Sequence, residues 1–257
     1  MRNVRRLLAI VLAAPVLALA AGEEVHLDRA PIDEHNLVSL QRGAKVFVNY
    51  CMGCHNASYM RYNRLEALGL TAQQIRDNLI LTGAKVGDLM KNAMDPADAK
   101  QWFGAAPPDL TVIARSRSSS AGSGADWLYT YLRGFYLDPV RPTGWNNVVF
   151  RDVGMPHILW QLQGEQELRT EVVTIPRSDD EEDVLKHEVQ KLVLVRPGKL
   201  TPVEYDRLAA DLVNFLVYMS EPEKSTRIEV GIYVLLFLGV FFVLAYLLKK
   251  EFWKDVH

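Results

Sequence analysis

The sequence predicts a mainly α-helical domain with loop and β-hairpin insertions, followed by one C-terminal transmembrane helix. Three observations support this fold class. Apolar residues at helical spacing lead into Cys51 and Cys54, the only cysteines among the 257 residues. Two segments of alternating polarity, 167–175 and 188–195, predict the strands of a hairpin. Residues 230–248 carry no charged side chain, over a length that suits a bilayer.

The N-terminal residues have the features of an export signal. Three arginines within the first six residues form a basic region, residues 7–19 are apolar, and Ala18-Leu19-Ala20 matches a small-x-small cleavage site. An apolar stretch of this length, interrupted by Pro15, is short for a retained membrane anchor, which needs about 20 residues. We therefore expect residues 1–20 to be a signal peptide that is cleaved near Ala20.

Cys51-Met52-Gly53-Cys54-His55 matches the attachment signature of c-type haem. In such a site each thiol bonds one vinyl group of the porphyrin, and the adjacent imidazole ligates the iron. The alternatives for the two cysteines are a structural disulfide, a dithiol redox pair or half of a zinc site. A zinc site needs about four ligands, and the sequence has no second cysteine pair to supply them. We predict one haem c, attached through Cys51 and Cys54, with His55 on the iron.

The segments around the motif predict helices and a long loop. Apolar residues between Leu40 and Val48 recur at helical spacing and continue into the motif. After the motif, residues 64–80 have a helical pattern, with Thr71 as the expected N-cap of its second half. Residues 82–109 are rich in Gly, Pro and Asp, and we expect them to form a long loop that covers the haem.

The middle of the chain predicts one short helix between irregular segments. Residues 116–124 are a Ser- and Gly-rich turn, and Asp126 is the expected cap of a helix over 127–135. Residues 138–158 contain several prolines and glycines and are expected to be irregular. The acidic run 179–183 lies between the two predicted hairpin strands. A solvated loop tip is the favoured interpretation of this run, and a docking patch for a basic partner is the alternative.

The C-terminal part predicts a soluble helix and then a membrane helix. Thr201-Pro202-Val203-Glu204 is a capping box with proline at the first helical position, and Ser220-Glu221-Pro222-Glu223 should end that helix. We expect residues 228–248 to span the membrane and the lysine-rich tail 249–257 to stay in the cytoplasm, by the positive-inside rule. Residues 21–227 would then form the periplasmic domain. That domain has 23 basic and 28 acidic side chains, which argues against a nucleic-acid partner.

The sixth position on the iron decides what such a haem does, and the residues leave several candidates open. Met155 is favoured because it lies in Gly154-Met155-Pro156, where glycine permits close approach of the backbone and proline stiffens the exit. A methionine opposite histidine is typical of electron-carrying haems. His157, two residues later, is a competitor. Met90, Met94 or an open site are the remaining alternatives.

Several segments in this order resemble the cytochrome c1 family, the membrane-anchored haem subunits of the cytochrome bc1 complex (quinol:cytochrome c oxidoreductase). The resemblance covers most of the exported chain and its anchor. It rests on Arg42-Gly43 with Phe47 before the haem motif, Pro107-Pro108-Asp109-Leu110, Ile113-Ala114-Arg115-Ser116-Arg117, Gly154-Met155, and Ser220-Glu221-Pro222-Glu223 directly before a single C-terminal membrane helix.

The resemblance implies a class I cytochrome c-like haem domain and specific residue roles. Met155 matches the family's axial methionine. The carbonyl of Pro108 would hold the imidazole of His55, and Arg117 would reach a haem propionate. Trp127 stands where the family often has a tyrosine that helps the propionate. No extra cysteine pair exists to form the disulfide that rigidifies the axial-ligand loop of some relatives.

The resemblance also implies a function, namely single-electron transfer from a Rieske iron–sulfur protein to a soluble cytochrome c, with no bond-making chemistry of the chain's own. Cytochrome b and membrane lipid would surround the C-terminal helix, in a dimeric complex of the inner membrane. Two alternatives are a membrane-anchored monohaem subunit of another oxidase or dehydrogenase, and a periplasmic haem sensor or peroxidase.

Overall fold

The computed structural model describes residues 26–176 and 184–255. The predicted signal peptide and the acidic run 179–183 lie outside the described residues, so both interpretations stay predictions. In chain order, the elements are α1 (Leu37–Val46), a π-helical turn (Phe47–Cys51), β1 (Ala57–Arg61), a 3₁₀ helix (Tyr62–Leu68), α2 (Ala72–Leu79), β2 (Leu89–Met90), α3 (Pro96–Phe103), α4 (Ile113–Ser116), α5 (Gly124–Arg133), β3 (Phe135–Leu137), β4 (Trp145–Asn147), α6 (Trp160–Gln163), β5 (Gly164–Pro176), β6 (Val184–Pro197), α7 (Pro202–Ser220) and α8 (Lys224–Phe252).

Helices α1 and α7 cross in close contact at Gly43. A Cβ added at Gly43 would lie 2.0 Å from the carbonyl oxygen of Asp211 and 2.7 Å from Cβ of Phe215, so only glycine permits this approach. Beside the crossing, the guanidinium of Arg42 donates to both carboxylate oxygens of Asp211, at 2.5 and 2.9 Å. Phe47 and Phe215 pack with ring centroids 5.7 Å apart. The first helix of the described residues and the last helix before α8 therefore share one core.

The predicted helix that leads into the haem motif is confirmed. Asn36 caps α1 by accepting a hydrogen bond from the backbone N–H of Ser39. The helix then widens, and the backbone N–H of Met52 donates to the carbonyl of Phe47, five residues earlier. The Cys51 carbonyl accepts from the backbone N–H of His55 at 2.8 Å. The motif is thus folded back onto the end of the helix.

The helix expected over 64–80 is confirmed in its second half and is interrupted before it. The chain forms a 3₁₀ helix that ends at Gly69, whose φ of 80° is left-handed, and α2 begins only after Thr71. The predicted cap is confirmed, because Thr71 and Gln74 form a reciprocal capping box.

The long loop expected over 82–109 contains two ordered elements. Strand β2 pairs with β1 in antiparallel fashion. Helix α3 begins at Pro96, and the side chain of Asp95 caps it by accepting from two backbone N–H groups. The remainder of this segment is irregular, as predicted.

The cap of the short central helix is also different from the prediction. Helix α5 begins at Gly124, and its N-cap is Ser123, which accepts from the backbone N–H of Asp126 at 3.1 Å. Asp126 occupies the third helical position, and its carboxylate accepts a hydrogen bond from the backbone N–H of Ser123 at 3.2 Å. The two residues form a capping box, so Asp126 is the third helical residue of that box and Ser123 is the N-cap.

The three sheets are two-stranded and antiparallel within the described ranges. Strands β5 and β6 confirm the predicted hairpin, which is longer than expected at both ends. The segment 138–158 is irregular, except that β4 pairs with β3. This small sheet precedes the loop that carries Met155.

The C-terminal helices agree with the prediction. Thr201 and Glu204 form the expected capping box of α7, and this helix supplies much of the buried core. Helix α8 has exposed apolar side chains on all faces. Its Thr226–Phe252 stretch is long and apolar enough to cross a membrane.

Candidate haem site

The two cysteines of the motif are present as free thiols. Cys51 is buried, whereas Cys54 is partly exposed. Burial, with a smaller contribution from the neighbouring Cys54, raises the pKa of the Cys51 thiol to about 12. Dithiol redox pairs depend on a lowered thiol pKa, so the environment of Cys51 does not suit that alternative.

The imidazole of His55 is oriented by the backbone of a distant loop. Its Nδ1 lies 2.7 Å from the carbonyl oxygen of Pro108, and because a carbonyl can only accept, Nδ1 carries the proton. Nε2 is then the nitrogen with a free lone pair. Burial lowers the pKa of His55, against a smaller opposing effect of the Pro108 hydrogen bond. The ring is therefore neutral at neutral pH, as a metal ligand must be.

Asp109 fixes the loop that presents the Pro108 carbonyl. Its carboxylate accepts from the backbone N–H of Ser58 at 2.7 Å and from the backbone N–H and hydroxyl of Thr111 at 2.8 and 2.5 Å. Although burial alone would raise the pKa of Asp109, these hydrogen bonds hold it below its ordinary value. The loop is thereby attached to β1, which begins two residues after His55.

Met155 lies on the loop after β4 and packs against the hydrophobic core. The hydroxyl of Tyr131, on α5, donates a hydrogen bond to its sulfur at 3.3 Å. A Cβ added at Gly154 would lie 3.5 Å from the carbonyl oxygen of Phe103, so α3 passes close to this loop.

Two buried asparagines, which the sequence patterns do not predict as site residues, hold the Met155 loop. The side-chain amide of Asn147 donates to the carbonyl of Tyr131 at 2.8 Å, and its oxygen accepts from the backbone N–H of Val149 at 2.9 Å. The oxygen of Asn146 accepts from the backbone N–H of Asp152, also at 2.9 Å. Short polar residues are common in turns, but their burial is visible only in the folded chain.

A salt bridge fixes the other side of the same loop. Arg141 donates to the carboxylate of Asp152 at 2.9 Å and to its carbonyl at 2.8 Å. Asp152 has a φ of 59°, and no other described residue except glycine has a positive φ. These contacts constrain the loop. A disulfide cannot do so, because both cysteines of the chain belong to the haem motif.

The other candidate ligands occupy different surroundings. Met90 is fully buried in β2, opposite Ala57, and Met94 is half-buried on the following segment. His157 is 2% exposed and stacks on Phe135 with ring centroids 4.7 Å apart. Burial lowers the pKa of His157 to about 4. Aromatic rings therefore pack around His157, while its buried Nε2 has no hydrogen-bond partner among the described residues.

Arg117 and Trp127 lie together beside Tyr131. The guanidinium carbon of Arg117 is 4.5 Å from the centroid of the Trp127 ring, and Trp127 stacks on Tyr131 at 4.8 Å. Over residues 26–176 and 184–255, Arg117 has no ion-pair partner, so its charge is available to an anion. Trp127 and Met155 both pack against the core that contains Cys51.

The residues present fit a haem c. Two unpaired thiols stand at the required spacing, and the adjacent imidazole is neutral with its tautomer fixed. The thioether of Met155 and the guanidinium of Arg117 lie beside the same core. This donor set would serve a porphyrin, its iron and an acidic propionate.

Comparison with known proteins finds a matching family model and several relatives. The sequence matches the Cytochrome C1 family over residues 28–171 and 195–256. The unmatched stretch, 172–194, includes the last residues of β5 and the first residues of β6. The chain is 50% identical to the ammonia monooxygenase gamma subunit of Nitrosomonas europaea, over the whole of both chains.

The matched relatives include proteins named cytochrome c1. That of Allochromatium vinosum is 50% identical over 98% of both chains. That of Rhodospirillum rubrum is 29% identical over 84% of this chain and 81% of its own. On the family match and on this similarity over nearly its full length, the chain belongs to the cytochrome c1 family.

Proposed function

We propose that this chain passes single electrons through one haem c, attached by Cys51 and Cys54 and ligated by His55 and Met155. Its electron donor would be a Rieske iron–sulfur protein, and its acceptor a soluble cytochrome c. The observation that carries the proposal is the Pro108 hydrogen bond, which leaves Nε2 of His55 as the ligating nitrogen.

Family membership already supplies the coarser statements. Cytochrome c1 is the haem subunit of the cytochrome bc1 complex, so the chain has an electron-transfer role and a covalently bound haem c. The family is membrane-anchored, and α8 is a helix of suitable length and composition.

The chain's residues set the conditions for the cofactor's chemistry. The haem supplies a one-electron couple when bound. Pro108 holds the His55 ring in one tautomer, while Met155 offers a soft sulfur donor. Arg117 would neutralise a propionate through a charge-assisted hydrogen bond. Trp127 supports Arg117 through its ring face and offers an indole N–H as a further donor.

The proposed arrangement in the membrane follows the charge pattern. Residues 21–227 would be periplasmic after removal of the signal peptide 1–20, and residues 228–248 would cross the inner membrane. Residues 249–257 would stay in the cytoplasm, because their three lysines follow the span directly. Cytochrome b and lipid would contact the exposed apolar faces of α8, in a dimeric complex.

A second candidate function has a specific observation in its favour. A relative at 50% identity is named an ammonia monooxygenase gamma subunit, so the same haem domain could serve a different membrane oxidoreductase. A haem sensor or peroxidase is a third candidate, and it needs an open or labile sixth site on the iron. The proposed Met155 ligand argues against that candidate.

Purification of the intact membrane complex through this chain separates the candidates. We expect cytochrome b and a Rieske protein to co-purify, and quinol to reduce the haem c of the complex. Recovery of monooxygenase subunits in their place would favour the second candidate. Carbon monoxide should not bind the reduced haem c, whereas binding would favour a sensor or peroxidase.

A further inference from the structure

We infer that Tyr131 is a positioning residue that tunes the thioether of Met155 through the hydrogen bond from its hydroxyl. This inference rests on the proposed role of Met155 as axial ligand. It adds a residue that neither the haem motif nor the family resemblance identified.

The hydroxyl of Tyr131 donates its hydrogen bond to the Met155 sulfur. The O–H donates to Sδ at 3.3 Å, and the Tyr131 side chain is largely buried. Within the part of the chain that the structure describes, this hydroxyl has no other hydrogen-bond partner. A buried hydroxyl without a partner loses free energy, so the thioether is its stabilising acceptor.

The Tyr131 ring is held from both sides. Trp127, one turn earlier on α5, stacks on it with an interplanar angle of 13°, and Phe135 packs against it edge-on at 5.1 Å. Asn147 binds the carbonyl of the same residue at 2.8 Å. Ring and backbone are therefore both fixed, so the hydroxyl is preorganised toward the sulfur.

The chemical consequence has a defined sign. A thioether sulfur has two lone pairs, so it can ligate a metal with one and accept a hydrogen bond with the other. The hydrogen bond withdraws electron density from the sulfur and makes it a weaker donor. Ferric iron needs that donation more than ferrous iron does, so the Tyr131 hydroxyl should raise the haem potential.

Tyr131→Phe in the full-length chain tests this inference, because it removes one oxygen atom and keeps every ring contact. Tyr129→Phe is the matched control. Tyr129 lies on the same helix and is equally buried, but its ring contacts Arg133, 4.4 Å from the guanidinium carbon. The readouts are equilibrium redox titration, the ferric methionine-to-iron charge-transfer band, and imidazole binding to the ferric protein.

We expect Tyr131→Phe to lower the reduced-to-oxidised ratio at a fixed ambient potential about threefold to tenfold. This corresponds to roughly 30 to 60 mV, since tenfold is 59 mV for one electron. Imidazole should bind the ferric variant less tightly, because the sulfur has become a better donor. The charge-transfer band should persist, and Tyr129→Phe should change neither quantity.

Three outcomes would overturn the inference. An unchanged potential with the band intact would refute tuning by Tyr131 and leave Met155 as ligand. Tighter imidazole binding in Tyr131→Phe, or loss of its band, would mean that the tyrosine only holds the loop in place. Absence of the band from the unmodified protein would refute the Met155 ligand itself, and the inference with it.

Discussion

The carbonyl oxygen of Pro108 accepts a hydrogen bond from Nδ1 of His55 over 2.7 Å, although the two residues are 53 positions apart. This contact joins the haem motif to a loop that is otherwise attached through Asp109 to β1. The orientation of the His55 imidazole therefore depends on the Asp109 carboxylate, although the two side chains share no hydrogen bond. That dependence can be tested by substitution and by pH.

Asp109→Asn should destabilise the domain by about 1–2 kcal/mol, because the amide nitrogen would face an N–H donor of Ser58 or Thr111. The depressed pKa of Asp109 stabilises the fold above the ordinary Asp value of about 3.9. That stabilisation is lost as pH falls through the depressed value. Denaturation titrations should show a constant difference between the proteins above about pH 5, and convergence below about pH 4. A difference that does not change with pH would contradict this role.

Gly43→Ala should destabilise the domain by about 1–3 kcal/mol, since its Cβ would overlap the Asp211 carbonyl of α7. Gly87→Ala is the control, because no atom lies within 4 Å of a Cβ added there. Thermal unfolding of the two variants in detergent measures the difference. Equal unfolding temperatures would contradict this expectation, because they would show that α1 and α7 accommodate the added Cβ without loss of stability.

Arg117→Gln should lower the haem potential, because loss of a nearby positive charge favours the ferric state. The effect should be of the order of 1 kcal/mol, the size of a partly screened charge interaction. Redox titration measures it, with Arg115→Gln as the control, since the exposed Arg115 lies by a separate cavity with Lys224. Equal shifts in both variants would assign the effect to net charge and not to a propionate contact.

Asn147→Ala should loosen the Met155 loop, since it leaves the Tyr131 carbonyl and the Val149 N–H without their buried partner. The loss should be about 1–3 kcal/mol of local stability. Hydrogen exchange of the loop amides should accelerate, and imidazole should displace the axial ligand more readily. Asn78→Ala removes an exposed asparagine bond and serves as control. Unchanged exchange in the Asn147 variant would exclude the proposed anchor.

The elements that the sequence predicts well depend on neighbours in the chain. The N-cap at Thr71 and the capping box at Thr201 need only partners within the next three residues, and both occur as expected. The membrane helix needs only length and composition. The helix expected over 64–80 is interrupted because Gly69 adopts a left-handed conformation, which a periodic pattern does not exclude.

The parts of the site that the sequence did not predict depend on distant contacts. Asn147 is significant because it reaches the carbonyl of Tyr131, 16 positions away. Arg141 pairs with Asp152 across 11 positions. The sequence predicts Tyr131 only as a core residue, because helical spacing does not specify the direction of its hydroxyl. The haem motif and the family resemblance predict their residues from the sequence alone, because each pattern specifies the residue types themselves.

The ferric methionine-to-iron charge-transfer band tests the central claim most directly. Met155→Leu keeps a similar apolar volume and removes the sulfur, and Met94→Leu makes the same change at the rival position. The band should be present in the unmodified protein and in Met94→Leu. It should be absent from Met155→Leu, whose haem potential should also fall. Persistence of the band and of the potential in Met155→Leu would contradict the assignment of the axial ligand.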